Sequence, residues 1–253
     1  MGDTSSPELV EAVQKLYGVF GKYKRPSSIE CCPCGCTQPD ATAHLVAVSL
    51  SDLRFADMLD FSFRALTTQG SVNDFRYLLP LLFKGVAQEP CGCSPEIIFG
   101  KLRYAKWWNW PQDEIEAIKE YLRALWYTAL DAFPTQERLP AFFEIETVLS
   151  SIAATGDSLE WFLTAWTIND SEEADRNLIQ FVTIYGGDFT EGRTLSGGFW
   201  SDSQLQASEL RNWLLRFETL QRLTGAAHLL PDDGFEHLFR PAIEGLVREA
   251  HAQ

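Results

Sequence analysis

The sequence predicts an all-α protein, built as antiparallel helical hairpins stacked into a repeat-like, α-solenoid-like bundle. Three observations carry that reading. Apolar residues recur at three- and four-residue steps along most of the chain. Recognisable caps, prolines and glycines punctuate those runs. No window alternates apolar and polar residues for long enough to make a convincing strand; the best, residues 43–50, reads better as a lead into the helix that follows it.

Residues 6–20 open with Leu9, Val10, Val13, Leu16, Tyr17 and Phe20 on a helical stripe behind Pro7, which suits a first helical turn. A cysteine-rich loop follows. Residues 52–67 then set Leu53, Leu59, Phe63 and Leu66 on one side, and Gly70 is suited to the left-handed position that closes a helix. Ser71 can cap the next helix, through Val72, Phe75, Leu78, Leu79 and Leu82, which Pro80 is expected to kink or shorten. Trp107-Trp108-Asn109-Trp110-Pro111 leads into the clearest helix start. Asp113 and Glu114 fall in its first turn, where acids favour the positive end of the dipole. Ile115, Ile118, Leu122, Leu125, Trp126 and Ala129 continue it as a core-facing stripe.

The second half reads as a repeat of the plan, the alternative being that helical hairpins look alike by chance. Gly70 and Gly156, 86 residues apart, each separate a helix from a polar cap and an aromatic-led helix. Glu209–Phe217 echoes the long helix after Trp110. A last helix over about 235–250 presents Leu238, Ile243, Leu246 and Val247 and is interrupted by Pro241. The chain therefore reads as one all-helical domain, 1–253, with two related halves at about 45–134 and 140–225.

Charge is uneven. Residues 1–130 hold 15 acids against 13 bases, a net −2; residues 131–253 hold 20 against 8, a net −12, with no lysine at all. Such a field repels nucleic acid and anionic membranes, and steers a basic protein inward. Asp170, Glu172, Glu173 and Asp175, with Asp232 and Asp233, are the candidate partner-binding acids; a solvated loop is the plainer account of any one run. The N-terminus has no basic region followed by an apolar segment, and no stretch reaches the roughly 18 apolar residues of a spanning helix, so a cytoplasmic protein is expected.

All six cysteines lie in two clusters, Cys31-Cys32-Pro33-Cys34-Gly35-Cys36 and Cys91-Gly92-Cys93, and Pro-Cys-Gly-Cys occurs in both. Turns of this kind hold thiolates close together. Cys31, Cys34, Cys91 and Cys93 are the candidate ligands of a structural zinc, which takes four such donors in a tetrahedron. Free thiols and disulfides are the alternatives.

The glycine-rich stretch 186–198 lacks the preceding strand and the lysine of a phosphate loop, and reads as a loop between helices. Gly-x-Ser-x-Gly and His-Glu-x-x-His are absent, so no catalytic residues are assigned. The three tryptophans at 107–110 either staple the helix start or offer an exposed anchor.

The cysteine cluster, Ala65-Leu-Thr-Thr-x-Gly70, Asp74-Phe75-Arg76-Tyr77-Leu78-Leu79-Pro80, Gly100-Lys101-Leu102, the Trp107–Pro111 segment with Glu114, and Leu195-Ser-Gly-Gly-Phe199-Trp200 together resemble a group of uncharacterised bacterial proteins. The resemblance spans most of residues 30–220 and departs at Leu81, where that pattern has arginine. It implies a helical fold and a bacterial origin, and carries no activity.

Two functions follow as expectations. One is a non-enzymatic binding protein, most concretely an immunity protein neutralising a basic bacterial toxin domain. The other is a zinc-dependent structural or regulatory protein, or a metal-dependent enzyme, built on the two Pro-Cys-Gly-Cys turns.

Overall fold

The computed structural model describes residues 6–34, 40, 42–88, 94–132, 144–229 and 236–252. Among them are twelve α-helices, several 3-10 turns and no β-strand, so the protein is all-α. The chain divides into two compact units, residues 1–128 and 129–253. Ala129 and Leu130 carry no charge, so this boundary also separates the net −2 from the net −12 portion.

The first unit contains α1 (Pro7–Phe20), α2 (Ala43–Ala47), α3 (Leu59–Arg64), α4 (Val72–Gln88), α5 (Pro95–Tyr104) and α6 (Gln112–Leu130), whose last turn crosses the unit boundary. Ser6 caps α1, its hydroxyl accepting from the Leu9 amide at 3.2 Å. Leu9, Val13, Leu16 and Phe20 are buried, and this face packs on α4. Ser71 and Asp74 form a reciprocal cap at the start of α4. The Ser71 amide donates to the Asp74 carboxylate at 2.7 Å and the Asp74 amide to the Ser71 hydroxyl at 3.3 Å.

Pro80 does not shorten α4. An interior proline costs about 3 kcal/mol. Phe75, Leu78, Leu79, Leu82 and Phe83 flank it and are almost wholly buried, each contributing on the order of 2 kcal/mol. Packing wins, and the helix runs through. Pro241 is likewise contained within the last helix, Glu236–His251.

Residues 52–67 depart from the expected stripe. Helix α3 covers only six residues after a 3-10 turn over Phe55–Met58. Phe55, Met58, Phe61 and Ala65 face inward, while Phe63 is 45% exposed. Leu66 takes a left-handed conformation (φ 62°) four residues before the expected stop, and Gly70 also adopts φ 72°. Phe55 packs against α4 at Gly85, so close that a Cβ there would stand 2.0 Å from its ring.

The tryptophan segment splits its roles. Trp107 and Trp110 are buried, and Trp108 is 51% exposed. Trp110 donates its indole N–H to the Ala105 carbonyl at 3.1 Å and meets Phe20 and Phe75 edge-on.

The second unit contains α7 (Ile145–Ala154), α8 (Glu160–Ile168), α9 (Glu172–Tyr185), α10 (Gln204–Leu214), α11 (Phe217–Ala226) and α12 (Glu236–His251). Trp166 of α8 and Trp213 of α10 stack at 5.1 Å between ring centroids at its centre. The expected continuous helix through Phe217 breaks at Leu215-Arg216, and Phe217 starts α11 with its ring 74% exposed. Helix α12 packs on α9 and on the 3-10 turn Gly186–Phe189. The glycine-rich stretch is thereby organised, with a second such turn at Gly198–Trp200.

Candidate interaction surface and cysteine turn

Helix α9 begins where the acids cluster. Ser171 caps it by accepting from the Ala174 amide at 3.2 Å. Glu172, Glu173 and Asp175 fill its first turn, where the helix dipole favours negative charge. The acids then divide. Glu172 pairs with Arg176 one turn on, at 2.6 Å. Asp175 meets Arg222 of α11 at 2.5 Å. Asp170 and Glu173 are exposed, and neither has an ion-pair partner among the described residues. Asp232 and Asp233 lie outside the described residues.

Arg222 organises this corner. Its Nη1 donates to the Trp166 carbonyl at 2.5 Å and its Nη2 to the Asn169 carbonyl at 2.6 Å, tying down the end of α8. Free carbonyls and the negative dipole end make a helix C-terminus a natural guanidinium site. Trp213 donates its indole N–H to the Thr167 hydroxyl at 2.8 Å, and Asn169 donates to Asp131 at 3.0 Å. The segment 166–175 is therefore held on several sides. It presents Ile168, 71% exposed, beside Asp170. Glu218, exposed and one helical turn before Arg222, adds another acid on the same face of α11. Sequence reading missed Arg222, Ile168 and Glu218. Only the helical periodicity of α11, which sets Glu218 and Arg222 four apart, hinted at them.

In the first unit the strongest electrostatic feature is interior. The Glu114 side chain is fully buried at the start of α6. Lys22 reaches it at 2.8 Å, Arg76 at 3.4 Å, and the Tyr23 hydroxyl donates to it at 2.7 Å. The Arg76 approach is an ion pair without hydrogen-bond alignment. Its guanidinium lies 4.2 Å from the Trp110 ring centroid, a cation–π contact. The hydrogen bond to Glu114 raises the Lys22 pKa; burial, then that same carboxylate, raises the Tyr23 pKa. Every group here is engaged with another, which suits a structural brace. A shallow groove of about 660 Å3 runs between α1 and α6, and the Lys15–Glu120 ion pair crosses it.

Of the candidate zinc ligands, Cys31 and Cys34 are described and Cys91 and Cys93 lie outside the described residues. Cys31 faces Gln69 in an isolated antiparallel bridge, and its thiol points to the Ile29 carbonyl at 3.7 Å. The close sulphur pair is a different one: Cys32 and Cys34, with Sγ atoms 2.7 Å apart. No three His, Cys, Asp or Glu side chains converge on a metal position among the described residues.

Among those residues no helix is long and apolar enough to cross a membrane. Comparison with protein-family models, with curated proteins and with solved structures found no match.

Proposed function

We propose that this is a non-enzymatic binding protein that receives a basic protein partner on its acidic C-terminal unit, most concretely an immunity protein neutralising a cognate bacterial toxin in the cytoplasm. One observation carries the reading: the net −12 coincides with a compact unit of its own. Within that unit the braced α8–α9 corner offers exposed Ile168, followed in the chain by exposed Asp170 and Glu173 without ion-pair partners among the described residues. An exposed apolar side chain near like charges gives a partner both burial and steering. Pre-organisation by Arg222 lowers the ordering cost of binding.

The test is protection from the cognate toxin by wild type and by the double variant Asp170→Lys/Glu173→Lys. Loss of protection in a variant with unchanged thermal unfolding supports the reading. Equal protection by both removes this corner as the binding surface.

A further inference from the structure

The segment before the first Pro-Cys-Gly-Cys turn is anchored by backbone pairing. The Gly70 amide donates to the Glu30 carbonyl at 2.8 Å, and the Cys32 amide donates to the Thr68 carbonyl at 2.8 Å. Cys31 and Gln69 face one another between these bonds, and Ile29 is buried just upstream. Cys32 is thus held in place. Pro33 follows with its φ restricted by the ring, and the chain turns at 33–34. Cys34 comes back toward Cys32: its amide donates to the Cys32 sulphur at 3.4 Å, and the two sulphurs stand 2.7 Å apart. The turn therefore sets the two thiols side by side, within reach of one another. Cys34 is exposed and Cys32 half-buried, so reagents have access to both.

We propose that Cys32 and Cys34 form a reversible dithiol–disulfide pair that exchanges with low-molecular-weight disulfides such as glutathione disulfide. The exposed Cys34 thiolate attacks one sulphur of the small disulfide and expels one small thiolate, leaving a mixed disulfide on Cys34. The Cys32 thiolate then attacks Cys34 Sγ and expels the second. The two cysteines lose two protons and two electrons overall, and the small disulfide becomes two thiols. A disulfide spanning a single intervening residue closes a small ring, and strained, exposed disulfides are the readily reduced ones.

The experiment incubates the full-length protein in graded ratios of reduced to oxidised glutathione, quenches it by alkylation and maps each cysteine by fragment mass spectrometry. The expected result is joint loss of Cys32 and Cys34 alkylation toward the oxidising end, with one bond linking them, fully reversed by reduced glutathione. The Cys32→Ser protein is expected to accumulate a stable glutathione adduct on Cys34 where wild type does not. The proposal is overturned if both thiols stay fully alkylatable at the oxidising end. Bonding of either to another cysteine, or a persistent glutathione adduct in wild type, overturns it equally.

Discussion

Arg222 of α11 stands 2.5 Å from the Asp175 carboxylate of α9 while its other nitrogens take the carbonyls of Trp166 and Asn169 at the end of α8. One guanidinium therefore satisfies the C-terminus of one helix and the first-turn acid of the next. The acids left outside this arrangement, Asp170 and Glu173, face solvent.

Replacing Arg222 by Met keeps most of the apolar stem and removes every one of those bonds. Hydrogen bonds involving a charged group are each worth about 1.5–3 kcal/mol, and Asp175 would lose its ion-pair partner. Part of that is recovered because the side chains remain partly solvated. The expected destabilisation is about 3 kcal/mol in urea unfolding, and a change below about 1 kcal/mol would show that the corner is braced by Trp213 and Asn169 alone.

The buried carboxylate of the first unit gives a contrast between two variants. Glu114→Ala leaves Arg76 and Tyr23 facing an empty space, while Lys22 keeps Asp113 at 3.0 Å, and breaking a buried pair from one side costs roughly 3–5 kcal/mol. Glu114→Gln keeps an acceptor for the Tyr23 hydroxyl and is expected to lose less. Denaturant unfolding followed by tryptophan fluorescence ranks the two; equal losses would mean that the hydrogen bond from Tyr23 is not part of the brace.

Two glycines separate a packing role from a loop role. A Cβ at Gly85 meets the Phe55 ring at 2.0 Å, and the ring, itself 2% exposed, has nowhere to go. Gly85→Ala is expected to cost about 3 kcal/mol or more, at the upper end of overpacking effects. Gly187→Ala meets no atom within 4 Å and is expected to be silent. Comparing their melting temperatures checks both.

Glu249 sets an acid limit on the glycine-rich segment. The Gly192 amide, then the Glu191 amide and Arg211, hold its carboxyl below the ordinary carboxylate range. A carboxyl with a depressed folded-state pKa contributes stability above its unfolded value and loses it as pH falls through the folded one. Amide exchange at Glu191 and Gly192, corrected for intrinsic pH effects, is therefore expected to accelerate below the ordinary carboxylate range. Glu249→Gln should show the fast exchange already at neutral pH. Protection independent of pH in both proteins would contradict this role.

Local chemistry made much of the fold legible. Pro7 and the Leu9–Phe20 stripe, the Ser71 cap, the positive φ of Gly70 and Gly156, and the helix start after Trp110 all rest on neighbours a few residues apart. What escaped depends on distant partners. Pro80 and Pro241 lie inside helices because tertiary burial outweighs the local penalty. The break at Leu215-Arg216 frees α11 to bring Arg222 to residues 47 and 56 positions earlier in the chain. The candidate acids were visible as composition, but which of them are neutralised was not. The closeness of Cys32 to Cys34 escaped because Cys31-x-x-Cys34 has the familiar ligand spacing, whereas the bond that anchors Cys32 runs to Thr68, far along the chain.

The most direct test of the central claim is affinity capture with the tagged protein from its native cell, by wild type and by Asp170→Lys/Glu173→Lys in parallel at low and high salt. The account predicts one stoichiometric basic protein on the wild type, weakened by salt and lost on charge reversal. A partner retained equally by both proteins and indifferent to salt would contradict it, as would capture of none.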